Sequence, residues 1–393
     1  MWRALTQLPR SVWLLGLVSL VNDSASELVY PLVPLYLSGV LMAGPRVLGL
    51  IEGVAEALSS LLKLAAGVLA DRSGAAKPWV VAGYGMAGLA RPALAFVTGW
   101  PLLLALRLTD RIAKAVRAAP RDALLAASIT PAQRGLAFGL HRAMDNAGAV
   151  IGPLLAWALL AAGVPLQQVF LWALLPGLVC VALTLALREA PVPVVAATTP
   201  AFSWTLAGLP VPLRRYLVVV ALFTLGNSSN MFLLLRAREL GVAEAQVPLL
   251  WAAVSGVAAL FAVPAGALSD RVGRVRLLAA GYLAYAAFYV GMGWFALPGW
   301  TLYALFAGYG LFMAATEGVE RALLADLAPP GQRGTAFGWL NLTMGALLLP
   351  ASLLFGSLWE TISARAAFGF SAACAVAAAV LLTTWVRPAT TMH

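Results

Sequence analysis

The sequence predicts an all-α integral membrane protein: twelve membrane-spanning helices, arranged as two six-helix repeats in the same orientation. Three observations predict it. Mean hydropathy is +0.88, with 62% of 393 residues hydrophobic and only 11% charged, against roughly 25% charged in soluble domains. The apolar residues gather into runs of the ~20 residues that a bilayer helix needs, with no period-two alternation of a membrane barrel. The third observation is an internal repeat at a fixed interval.

The first run, 11–41, follows Arg3 and Arg10 and is crossed by the polar stretch Asn22 to Glu27. Apolar sequence then resumes as far as Met42, so this is a first span and not a cleaved signal peptide. Runs at 46–70, 78–99, 101–126, 135–162 and 166–187 complete the first six. Arg188 to Arg215 is less hydrophobic and rich in Pro, Thr and Ala, as a linker would be. The second six are 214–236, 246–269, 277–297, 299–326, 335–358 and 364–386. The expected organisation is a bundle over 1–188, a cytoplasmic linker over 189–213 and a bundle over 214–393. Pro31, Pro34, Pro153 and Pro264 are expected to bend or break their helices, since proline lacks the amide that an interior turn uses.

The formal charge of +10 would indicate nucleic acid in a soluble domain, but its placement excludes that reading. Arg3, Arg10, Arg72, Lys77, Arg134, Arg188, Arg214, Arg215, Arg271, Arg274, Arg276, Arg333 and Arg387 fall at the two ends and in every second loop. The loops around Thr98–Pro101, Gly163–Gln168 and Ala296–Trp300 carry no charge; Arg46, Arg236, Arg238 and Arg365 are the exceptions. This is the positive-inside pattern, with both termini cytoplasmic, and the expected location is the cell's inner membrane. Cys180 and Cys374 both lie inside spans, against a disulfide framework or a cysteine metal site.

The repeat is carried by two motifs. Pro131-Ala-Gln133-Arg134-Gly135-Leu-Ala137-Phe138-Gly139 returns as Pro330-Gly-Gln332-Arg333-Gly334-Thr-Ala336-Phe337-Gly338, and GVLADRSG (67–74) returns as GALSDRVG (266–273). Both pairs are 199 residues apart. GVLADRSG and GALSDRVG resemble the loop signature of the major facilitator superfamily, found between spans 2–3 and 8–9. That resemblance covers essentially the whole chain. It implies parallel six-helix halves with substrate held near the midplane between them, worked by alternating access. It also implies gating roles for Asp71 and Arg72 and for Asp270 and Arg271, in which the Asp meets a helix end and the Arg a carboxylate. The first copy departs from the signature, with Ala75 and Ala76 where basic residues are usual. Gly148-Ala-Val-Ile-Gly152-Pro153 resembles part of a motif of antiporters in this superfamily, without the usual following Gly-Gly. Such spacing also serves close helix packing in any membrane protein.

The fourth run holds the least membrane-like stretch. ALRLTDRIAKAVRAAPRD (105–122) carries Arg107, Asp110, Arg111, Lys114, Arg117 and Arg121 within about 120° of helical arc. A rise of about 1.5 Å per residue from Pro101 puts Arg111 and Lys114 roughly 15–20 Å deep. Lipid-facing charge there costs at least about 2.5–3.5 kcal/mol per residue, so the stripe is expected to face the bundle interior or a watery cavity. Arg107 falls where proton-coupled exporters of the resembled superfamily carry a buried arginine; Arg111 stands where they usually have Gly. Arg117, Arg121 and Asp122 approach the cytoplasmic end and are expected to snorkel or anchor at the interface.

The same half supplies the counter-charges. Span 1 offers Asp23 and Glu27 with Ser19, Ser26 and Tyr30 on one face; span 2 offers Glu52, Glu56, Ser59 and Lys63. Arg91 lies in span 3, and His141, Arg142, Asp145 and Asn146 in span 5. The second half offers Asn227, Ser228, Ser229 and Asn230, with Asn227-Ser228-Ser229 resembling Asn22-Asp23-Ser24, and Glu317 and Glu320 in span 10. These residues predict a secondary transporter, a proton-coupled exporter of a small anionic or zwitterionic solute, working as a monomer. Asp23, Glu27, His141 and Asp145 would carry the proton. Arg107, Arg111, Lys114, Glu52, Glu56, Tyr30, Asn227 and Asn230 would line the substrate site.

Two alternatives stay open. Carboxylates of spans 1 and 2 with His141 and Met144 could take a divalent metal, although the nearby arginines oppose it. The polar network could instead be structural, in a membrane sensor or assembly factor. No P-loop, nucleophile elbow or H-E-x-x-H is present, so no enzyme and no cofactor are expected.

Overall fold

The computed structural model describes residues 8–73, 76–130, 133–187, 206–295, 299–329 and 332–386, without the side chains of 61, 63–73, 119, 134, 135, 207, 333 and 334. Regular structure among the described residues is helical. The first half contains α1 (Arg10–Val29), α2 (Val33–Gly39), α3 (Pro45–Ser73), α4 (Lys77–Ala93), α5 (Trp100–Ala127), α6 (Arg134–Ala161), α7 (Leu166–Trp172) and α8 (Leu174–Leu185). The second contains α9 (Val211–Gly226), α10 (Met231–Glu239), α11 (Val247–Val272), α12 (Arg274–Trp294), α13 (Gly299–Leu327), α14 (Arg333–Thr361) and α15 (Ala364–Trp385).

Every expected run is occupied by helix. Among the described residues nine helical segments are long and apolar enough to cross a bilayer. The other three runs are α3, α4 and α5. α4 has only 17 residues, and α5 carries the charged stripe. Large apolar side chains such as Leu89, Phe96, Leu260, Val263 and Trp300 are more than two-thirds exposed, as lipid contact requires and water contact would penalise.

The first and seventh runs break at repeat-equivalent places, by different chemistry. In the first, the turn at Tyr30–Leu32 tightens to a 3-10 helix around Pro31 and Pro34. In the seventh there is no proline: α9 ends at Gly226 and α10 starts at Met231. There Ser229 Oγ accepts the Met231 amide at 3.3 Å, the competition by which serine and asparagine open a helix. Residues 30 and 229 are 199 apart, so Ser229 corresponds to Tyr30. The likeness of Asn227-Ser228-Ser229 to Asn22-Asp23-Ser24 is therefore out of register by more than a turn.

By contact the chain divides into two compact units: Met1–Ala43 with Val54–Thr198 and Val242–Gly256, and Gly44–Gly53 with Thr199–Gly241 and Val257–His393. α3 and α11 are thus shared reciprocally, each with its first turns in one unit and its remainder in the other. In the first unit, α1 and α6 touch backbone to backbone. A Cβ added at Gly148 would lie 2.5 Å from the Leu20 carbonyl, and one at Gly152 would lie 2.5 Å from that of Ser24. The glycine pair therefore sets the distance between these helices. Its apolar core includes Val12, Leu15, Val18, Val80, Tyr84 and Cys180.

The second unit is built on aromatic packing. Phe223 stacks on Tyr282 at 3.9 Å and Tyr285 on Tyr289 at 4.0 Å, with Phe288, Tyr309, Phe312, Phe355 and Phe368 around them. Here too glycines admit a helix: Gly53 faces Leu349 and Gly356 faces the Pro45 carbonyl, bringing the start of α3 onto α14.

Candidate functional site

The first unit gathers buried and half-buried charged side chains from α1, α3, α4, α5 and α6. Arg91 is 4% exposed; its Nε lies 3.0 Å from Asp110 Oδ1, and its Nη1 donates to the Asn22 carbonyl and to Asn22 Oδ1. Asn22 Nδ2 in turn donates to Asp23 Oδ1 at 2.8 Å. Arg111 Nη2 lies 2.8 Å from Glu56 Oε1. Asp145 accepts from Ser19 Oγ, with His141 Nδ1 at 3.7 Å and Arg142 Nη1 at 3.9 Å from its other oxygen. A cleft within this unit is lined by Ser26, Ala90, Arg91, Leu106, Arg107 and Asp110.

Two acids are held differently. Glu27 Oε2 accepts the Trp251 indole N–H at 2.8 Å, and the Tyr30 ring lies 5.1 Å from the Trp251 ring. Asp23 accepts from a neutral amide. Among the described residues neither forms an ion pair with a lysine or arginine, whereas Asp110 and Glu56 do. Lys114 and Arg111 are electrostatic neighbours of Glu27, and Lys114 and Arg117 of Asp23. Lys114 is exposed, and at that depth an exposed ammonium requires water beside it.

Arg117 does not snorkel. It is 4% exposed, and its guanidinium sits over the Tyr84 ring at 4.8 Å, a cation–π contact that partly replaces water. Arg121 and Asp122 pair with each other at 2.9 Å, with Asp122 half exposed, so these two alone keep to the expected exposed end.

In the second unit Ser229 Oγ lies 3.5 Å from Glu52 Oε2, Tyr309 donates to Asn230 Oδ1 at 2.7 Å, and Asn227 is half-buried at the broken turn. Glu52 and Glu56, one turn apart, therefore serve different units. Glu320, 8% exposed, accepts from Tyr282 at 3.0 Å while its carbonyl accepts from Tyr216.

Of the gating residues, the Asp71 and Arg72 side chains lie outside the described residues. Asp270 and Arg271 are exposed. The carboxylate contacts fall to Arg274, which reaches Asp326, the Ala322 carbonyl and, at 3.4 Å, Asp270. Among the described residues no three His, Cys, Asp or Glu come together as a metal would need.

Sequence reasoning missed Trp251, whose donor role is invisible in an apolar run, and gave Glu320 no task. Asn22 had a signal, standing beside Asp23, but its link to Arg91 depends on the fold.

A family model described as "Major Facilitator Superfamily" matches residues 15–235 and again 216–392. An uncharacterised MFS-type transporter of Methanocaldococcus jannaschii is 32% identical over 383 residues, 96% of this chain and 95% of that one. Among solved structures, a point mutant of the nucleoside transporter NupG is similar with TM-score 0.83 and 14% identity, over 96% of this chain and 100% of that one. A D-xylose–proton symporter has TM-score 0.75 and 16% identity, over 96% and 97%. At such identities the two structures speak for the fold.

Proposed function

The chain belongs to the major facilitator superfamily, and from that premise we propose that this secondary transporter is a proton-coupled exporter of a small anionic or zwitterionic solute. The observation that carries the reading is the division among its acids. Asp110 and Glu56 face guanidinium groups, so protonating either would take a charge partner from a buried cation. Asp23 and Glu27 are held by an amide and an indole, and can take or lose a proton without stranding one. They are the coupling acids, with His141 and Asp145 as a relay beside Ser19.

Arg107, Arg111 and Lys114 give the substrate its positive face. Glu56 occupies Arg111 until an anionic group replaces it in a bidentate contact. Tyr30 borders the same region, while Glu52 of α3, and Asn227 and Asn230 at the broken turn of the seventh run, supply further polar groups. Substrate and proton then compete for one set of charges, which is antiport in physical terms. The bundles 1–188 and 214–393, joined by 189–213, are the alternating halves. Asp71, Arg72, Asp270 and Arg271, with Arg274, latch one state. Both termini lie on the cytoplasmic side of the inner membrane.

The test uses purified protein in liposomes with a trapped pH dye. A panel of organic carboxylates, phosphomonoesters and zwitterionic amino acids is screened for solute-induced proton flux. Flux with one class, abolished by Asp23→Asn and weakened by Arg111→Ala, is expected. Undiminished flux in Asp23→Asn would remove Asp23 from the mechanism.

A further inference from the structure

We propose that Trp251 is a positioning residue of the proton-coupling site: its indole orients the Glu27 carboxylate and, through the same bond, ties the first turns of α11 to that carboxylate's charge. The inference rests on the reading of Glu27 as a coupling acid.

Three observations carry it. Trp251 is 7% exposed, and its only polar side-chain atom, a donor without acceptor capacity, is spent on Glu27 Oε2 at 2.8 Å. Tyr30, one turn beyond Glu27, lies against the same indole, so the ring has little freedom to turn elsewhere. Residues 242–256, which carry Trp251, belong by contact to the unit of Glu27, while the rest of α11 belongs to the other. The bond is thus a polar tie between the coupling acid and the first turns of α11.

The repeat offers independent support. Trp251 is 199 residues from Glu52, as Ser229 is from Tyr30. The mates meet as well: Ser229 Oγ lies 3.5 Å from Glu52 Oε2. Both helices that are shared between units therefore place the residue at this position against the broken turn of the first span of a repeat. In one repeat the visiting helix brings the acid. In the other it brings a donor to an acid already there.

The chemistry follows from hydrogen-bond strength. A charged acceptor holds a donor about twice as firmly as a neutral one. Proton uptake at Glu27 weakens the tie, and proton loss restores it. The charges that face Glu27 are Asp23 on its own helix and Arg111 and Lys114 on α5. α6 meets its backbone through Gly152 and carries Asp145, an electrostatic neighbour of Asp23. Glu244, half-buried, is the titratable residue of the visiting segment.

The experiment is amide hydrogen exchange of the full-length protein in detergent at pH 5 and pH 8, corrected for intrinsic rates, following 247–256 with 274–294 as control. Protection of 247–256 is expected to fall about tenfold at the lower pH, the difference between a charged and a neutral acceptor. In Trp251→Phe the response vanishes and the control segment is unchanged. Trp251→Tyr, which keeps a ring and a donor, restores part of it and serves where the phenylalanine variant folds poorly. Glu27→Gln sits at the low-protection level at both pH values. A full pH response in Trp251→Phe, or none in the wild type, would overturn the positioning role and leave Glu27 as a coupling acid. A response that survives Glu27→Gln and is lost in Trp251→Phe would instead remove Glu27 from proton coupling.

Discussion

Two glycines on α6 provide a matched test of how the site is held. A Cβ built at Gly139 meets nothing within 4 Å, so Gly139→Ala should gain helix propensity alone, about 0.5–1 kcal/mol. At Gly152 the same atom lies 2.5 Å from Ser24 O, 2.7 Å from Leu28 N and 2.9 Å from Glu27 C. All three are backbone atoms of α1 and cannot rotate aside. Restoring ordinary contact, which begins near 3.4 Å, needs α1 to move by about 1 Å. Overpacking of this kind costs about 1–3 kcal/mol, and unyielding backbone puts it at the upper end. After the propensity gain, Gly152→Ala should lose about 2 kcal/mol and stand roughly 3 kcal/mol below Gly139→Ala. For a body of 150–250 residues that is about 6–12 °C in midpoint. Thermal unfolding in detergent, read by size-exclusion recovery, gives the ranking. If Gly152→Ala unfolds with or above Gly139→Ala, the glycine pair does not set the α1–α6 distance.

Other substitutions test separate parts. Removing Arg91 or Asp110 alone should cost about 3–5 kcal/mol, while Arg91→Met with Asp110→Leu together should come near neutral, a cycle readable from unfolding midpoints. Tyr309→Phe should lose about 1 kcal/mol with the bond to Asn230, and Phe232→Ala, which removes a ring 4.7 Å from that of Phe355, should lose about 3–5 kcal/mol, both measured by unfolding. Arg274→Gln should lower the midpoint by an amount worth about 1–2 kcal/mol, because charge-assisted bonds to Asp326 and Ala322 go with it. Arg271→Gln, exposed and away from those groups, should change it by less than about 0.5 kcal/mol.

How far the molecule is legible in its sequence depends on the range of the force involved. The helices are legible because a long apolar run in a bilayer, without the alternation of a barrel strand, must bond its own backbone. The interruption of the first span is announced by Pro31 and Pro34, whereas that of the seventh rests on Asn227 to Asn230, a weaker local signal. Periodicity assigns Glu52 and Glu56 to one face of α3 and cannot say that they meet different neighbours, Ser229 and Arg111. Arg117 looked like an interfacial anchor by depth alone; the Tyr84 ring that covers it comes from another helix. The loop motif marked Arg271, and it does not show that Arg274, one turn later, reaches Asp326. Helical pattern specifies faces, and pairing belongs to the fold.

The sharing of α3 and α11 also bears on how the chain is made. Trp251 follows Glu27 by 224 residues, and Ser229 follows Glu52 by 177. At about 5–20 residues per second of synthesis, Glu27 waits roughly 11–45 s for its donor and Glu52 roughly 9–35 s. During that interval the nascent chain carries both acids before Trp251 and Ser229 have been made. A ribosome stalled at 189–213 would therefore deliver a half that lacks both Trp251 and Ser229.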